Sequence, residues 1–142
     1  MTKGLAAKAE IVINAPAKKV WEALVTPEII KKYLFGTEAV SDFRAGSSIV
    51  YRGEWEGKKY EDKGKILEVV PEKLLVSTYW SSMGGRPDTA ENYSTVMYEL
   101  SGNSGFTRLT ITQDNNLTEE SRAHSEKNWN LVLKTLKDLL EK

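Results

Sequence analysis

Five aromatic side chains carry the strongest chemical signal in this 142-residue sequence. Trp55, Tyr79, Trp80, Tyr98 and Trp129 fall in segments whose patterns predict strands or a long helix. Tyr and Trp join an apolar body to a polar tip, which suits an amphipathic ligand in an apolar cavity. The plainer reading is core packing. Alternate strand residues face opposite ways, so Tyr79 and Trp80 cannot both face the same helix, and a one-residue register error exchanges them.

The other reactive groups point less clearly to a site. Glu54, Glu56, Glu61 and Asp62 cluster near one hairpin, and paired carboxylates can do acid–base work when burial separates their pKa values. Arg52, Lys58, Lys59 and Lys63 are interspersed with them, so a solvated, salt-bridged hairpin is the better reading. His124 is the single histidine, with Glu120 four residues earlier as an ion-pair partner on a helix. One histidine without clustered ligands makes a poor metal site. Ser81–Pro87, with Gly84, Gly85 and Met83, reads as a hairpin loop that can also serve as a lid. There is no phosphate-cradling glycine loop with lysine and no serine elbow. No cofactor and no catalytic residue is predicted.

Composition removes several classes. Lys and Arg total 20, as do Asp and Glu, so the net charge is zero. The basic pairs Lys18-Lys19, Lys31-Lys32 and Lys58-Lys59 are separated by acids, which argues against nucleic acid as a partner. The chain has no cysteine, which excludes disulfides, thiolate catalysis and cysteine-based zinc sites. The first residues lack the apolar core of a signal peptide, and no run approaches transmembrane length. The expectation is a cytoplasmic protein with no membrane insertion, either monomer or homodimer.

The element that must organise these groups is the stretch from Thr118 to Glu141. Trp129, Val132, Leu133, Leu136 and Leu140 recur at spacings of three and four, which predicts one amphipathic helix about 36 Å long. Thr118 followed by Glu119 and Glu120 suits its start. Before it, Ala7–Ala15 reads as a strand. Pro16–Val25 and a segment restarting at Pro27 read as two short helices. Strand signals then cover Glu38–Phe43, Ser48–Trp55, Lys59–Val70, Leu74–Ser81, Tyr93–Leu100 and Phe106–Asp114, separated by turns such as Glu56-Gly57-Lys58. Short turns imply an antiparallel sheet. The prediction is one α+β domain over residues 1–142: a curved antiparallel sheet of about six to seven strands wrapped around a long C-terminal helix, with two short helices after the first strand. A twisted sheet and a straight rod do not match everywhere, and the mismatch is the reason to expect a cavity.

This order, with Val20-Trp21-Glu22-Ala23-Leu24-Val25-Thr26-Pro27-Glu28, resembles the START-like, birch-pollen-allergen-like (SRPBCC) superfamily. The closer similarity is to its branch named after the activator of the heat-shock protein 90 ATPase. It rests on Asp42-Phe43-Arg44-Ala45-Gly46-Ser47 (with Ser47 where the branch has a second glycine), Gly64 to Leu74, Phe106 to Thr112, and Asn128-Trp129 with Leu133, Leu136 and Leu140. The resemblance implies a helix-grip fold and little about function. The expected activity is binding of a small hydrophobic or amphipathic molecule, lipid or aromatic metabolite, with Trp55, Trp80, Tyr98, Trp129, Leu133 and Leu136 lining the cavity. Replacing Leu133 by a bulky aromatic is then expected to block it. The alternatives are a co-chaperone-like module with a chaperone as protein partner, and a polyketide cyclase-like enzyme using cavity tyrosines.

Overall fold

The computed structural model describes residues 4–82, 86–102 and 105–141, apart from the side chain of Trp55. Seven strands form one sheet: β1 (Leu5–Ile13), β2 (Glu38–Ser41), β3 (Ser48–Trp55), β4 (Lys58–Val70), β5 (Leu74–Tyr79), β6 (Ser94–Gly102) and β7 (Thr107–Asn116). Their spatial order is β1-β7-β6-β5-β4-β3-β2, and every pairing is antiparallel. The first two strands of the chain are thus the two edges of the sheet. Helices α1 (Ala17–Val25) and α2 (Pro27–Tyr33) carry the chain from one edge to the other. The predicted helix-grip architecture is the observed one.

Strand ends differ from the sequence reading by a residue or two, as frayed ends do. Pro16 is the N-cap of α1 rather than its first residue. Pro27 opens α2. A single 3-10 turn, Ala90–Asn92, interrupts the predicted loop before β6.

Helix α3 (Glu119–Leu140) begins at Thr118, whose side chain accepts a hydrogen bond from Ser121 N–H at 3.0 Å. Thr118→Ala should therefore cost about 1 kcal/mol, read as a lower urea midpoint with unchanged slope. The helix also guards an exposed strand edge. Lys8 and Asn14 N–H donate to Glu126 and Glu141, and Lys137 Nζ donates to the Val12 carbonyl. Those backbone groups point away from β7, and α3 satisfies them with side chains, which blunts the β1 edge against pairing with another chain. The same bonds hold the Glu126 and Glu141 carboxyls below the usual glutamate range.

Val132, Leu133, Leu136 and Leu140 are buried on the sheet side of α3. They pack with Ile13, Val20, Leu24, Leu109 and Ile111 in the main core. A second, smaller core (Ile49, Ile66, Leu75) lies under β3–β5, and Trp21, Val25, Phe43, Tyr51 and Tyr98 touch both. The apolar face of α3 is confined to its C-terminal half. From Glu119 to Asn128 the helix has no large apolar side chain, so it cannot fill the space over β3–β6.

Candidate ligand-binding cavity

That unfilled space is a cavity of about 390 Å³. Strands β3 to β7 supply its floor through Tyr51, Tyr60, Asp62, Ser77, Tyr79, Val96, Tyr98 and Gln113. Helix α3 roofs it with Ser125, Asn128, Trp129 and Val132, and Leu34, Phe35 and Thr37 form the rim after α2. Phe35 stands 60% exposed at this rim with φ at 55°, an uncommon conformation for a bulky residue.

The polar groups on the wall are mutually engaged. Tyr79 Oη donates to Asp62 Oδ2 at 2.8 Å, and Ser82 N–H donates to Asp62 Oδ1 at 3.2 Å. Thr37 Oγ1 and Tyr60 Oη are 2.5 Å apart, and Trp129 Nε1–H donates to Gln113 Oε1 at 2.8 Å. Two edge-to-face ring pairs stiffen the site, Tyr51 with Tyr79 and Tyr98 with Trp129, at centroid distances of 6.3 and 6.0 Å.

Burial raises the tyrosine hydroxyls. Tyr51 is pushed up to about 12 by its burial, against a hydrogen bond with Tyr98, with the charge of Asp62 adding to the rise. Tyr79 is raised by burial first and then by the Asp62 carboxylate, and Tyr98 by burial and its tyrosine neighbours. A general base near neutral pH needs a pKa close to 7. These hydroxyls move the other way and act as neutral hydrogen-bonding groups.

Of the residues expected to line the cavity, Tyr98 and Trp129 do so. Trp80 does not: Tyr79 is the member of that pair on the cavity wall. Trp80 lies on the opposite face, stacked on Tyr93 at 6.5 Å, with its indole N–H donating to the Arg86 carbonyl and Lys63 Nζ 5.7 Å from its ring. The reason is register, since Tyr79 shares the face of Ser77 and Leu75. Leu133 is also corrected. It is fully buried in the main core, and its neighbour Val132 faces the cavity. Leu136 borders only a small void of about 20 Å³ beneath the cavity, next to Tyr33 and Leu75. The side chain of Trp55 lies outside the described part, as do residues 83–85 of the proposed lid.

The carboxylate hairpin divides. Arg52 and Glu61 form the expected exposed ion pair at 3.2 Å. Asp62 is 8% exposed and belongs to the cavity, which the solvated-hairpin reading missed. The turn explains the miss: a three-residue Glu56-Gly57-Lys58 turn would set Asp62 opposite Arg52, whereas the observed turn has two residues, Glu56-Gly57, and sets Asp62 opposite Tyr51 across β3–β4. His124 contacts Asn128 at 3.3 Å rather than Glu120. No cluster of three metal-ligating side chains occurs among the described residues, and no helix there is long and apolar enough to cross a membrane.

Comparison with known proteins agrees with this geometry. The family model for Activator of Hsp90 ATPase homolog 1-like protein matches residues 14–141. The chain belongs to that family. A Cytophaga hutchinsonii protein of known solution structure is 50% identical, with a TM-score of 0.85 over 99% of this chain and 96% of that one. The Aha1 dimer of Colwellia psychrerythraea is similar at 23% identity, TM-score 0.75, over 96% of each chain. DynU16, a protein of the dynemicin biosynthetic locus, is similar at 19% identity and TM-score 0.79, over 96% of this chain and 47% of its own. The last two establish likeness of fold alone. No curated protein matches.

Proposed function

We propose that this protein binds a small amphipathic molecule, an aromatic metabolite or lipid, in the cavity between the sheet and α3. The observation that carries the reading is the character of the 390 Å³ space: aromatic walls with a few converging polar groups, roofed by the polar half of a helix. Small-molecule sites are typically concave, largely apolar, and supplied with a small number of placed hydrogen-bonding groups. Tyr51, Tyr79, Tyr98 and Trp129 would grip the apolar body, and Asp62, Gln113 and Asn128 would orient its polar end. Phe35, exposed at the rim, would gain burial when a ligand is held beneath it.

A thermal-shift screen against lipids, flavonoids, sterols and polyketide-like aromatics tests this. A ligand at a hundred times its dissociation constant adds about 2.7 kcal/mol. For a domain of this size the midpoint should rise by roughly 5–10 °C. A panel without a single such shift contradicts the reading and leaves the co-chaperone alternative, to be tested by pull-down with an ATPase chaperone.

A further inference from the structure

We propose that the cavity selects a ligand bearing a protonated amine on an aromatic body, and that Asp62 is the group that receives the ammonium. The inference rests on the cavity being a ligand site and specifies what it takes. Asp62 is 8% exposed, yet none of its contacts among the described residues is with a cation. Two neighbouring cations are committed elsewhere: Lys63, next in sequence, pairs with Asp88 at 2.5 Å, and Arg52 on the adjacent strand pairs with Glu61. Among the described residues the cavity wall carries two carboxylates, Glu54 and Asp62, and no Lys, Arg or His. Buried carboxylates are ordinarily paired with a cation, because taking an isolated charge out of water is expensive.

The remaining geometry favours the same ligand. An ionised carboxylate has about four acceptor positions, of which Tyr79 and Ser82 occupy two. The others are free for an ammonium. Tyr51, Tyr79, Tyr98 and Trp129 stand around the same space, and aromatic faces attract a cation through the ring quadrupole. A carboxylate-bearing ligand would instead meet like charge with no donor cation to offset it. Fatty acids and aromatic acids are therefore excluded.

The test uses three probes that share one ring system: naphthylmethylamine, naphthylmethanol and naphthoic acid, titrated at neutral pH by calorimetry. The amine should bind about tenfold more tightly than the alcohol and about a hundredfold more tightly than the acid. In Asp62→Asn the advantage of the amine over the alcohol should disappear, with circular dichroism checking that the variant is folded. Glu54→Gln, at an exposed position, should reduce the amine preference only slightly. The wild-type series decides the matter even if Asp62→Asn does not fold. Binding of all three without preference, or tightest binding of the acid, overturns the charge selection and leaves the cavity reading intact. Binding of none overturns both.

Discussion

Gly64→Ala should lower the thermal midpoint by roughly 10 °C or more, corresponding to about 3 kcal/mol. A Cβ at position 64 would lie 1.8 Å from the Thr78 carbonyl oxygen and 2.5 Å from its carbon, so backbone rather than a flexible side chain blocks it. The clash falls where the sheet is irregular. Lys63 and Trp80 exchange backbone hydrogen bonds, and Ile66 pairs with Ser77. Between these points Lys65 N–H turns to Thr78 Oγ1 at 2.9 Å. Strand β5 is pressed onto β4 there, and only a residue without a side chain admits it. Asp62 and Tyr79 flank this contact, so parting the strands should also weaken their 2.8 Å hydrogen bond. Differential scanning calorimetry of the variant gives the answer. A midpoint within 2–3 °C of wild type would mean that the strands separate cheaply.

Val132→Trp should reduce affinity for any cavity ligand at least a hundredfold, a loss of about 2.7 kcal/mol, while changing stability by no more than about 1 kcal/mol. Val132 lies at the roof, between the cavity and the small void beneath it, so an indole there has empty space to enter. Leu133→Trp is the informative contrast. That site is fully buried in the main core, and the same increase in volume should cost about 3 kcal/mol of folding stability. A Val132→Trp protein that still binds its ligand with wild-type affinity would place the ligand elsewhere.

The helix shows what sequence could and could not resolve. Spacings of three and four put Val132, Leu133 and Leu136 on one broad face, but successive helix residues lie about 100° apart. That angle separates a cavity-facing Val132 from a core-facing Leu133, and periodicity alone does not say where the sheet departs from the helix. The run from Glu119 to Asn128 did contain the clue, because a helix half without large apolar side chains cannot pack tightly on a sheet. The strands behave similarly. Alternation established that Tyr79 and Trp80 diverge, and only the pairing of β5 with β6, Tyr79 opposite Ser94, selects the inward one. Asp62 was not legible, because a turn one residue longer than the observed Glu56-Gly57 reverses the facing of every residue on β4. Fold order was legible throughout, since turn residues and the long helix specify an antiparallel sheet and its partner without side-chain detail.

The most direct test of the central claim is a titration with naphthylmethylamine followed in the nitrogen–proton correlation spectrum, read at two indole signals. Trp129 Nε1–H is bonded to Gln113 on the cavity wall, and Trp80 Nε1–H is bonded to Arg86 on the opposite face. A ligand in the cavity should shift the Trp129 indole signal progressively to saturation and leave that of Trp80 in place. Movement of Trp80 with Trp129 unchanged would put the binding surface outside the cavity and contradict the account.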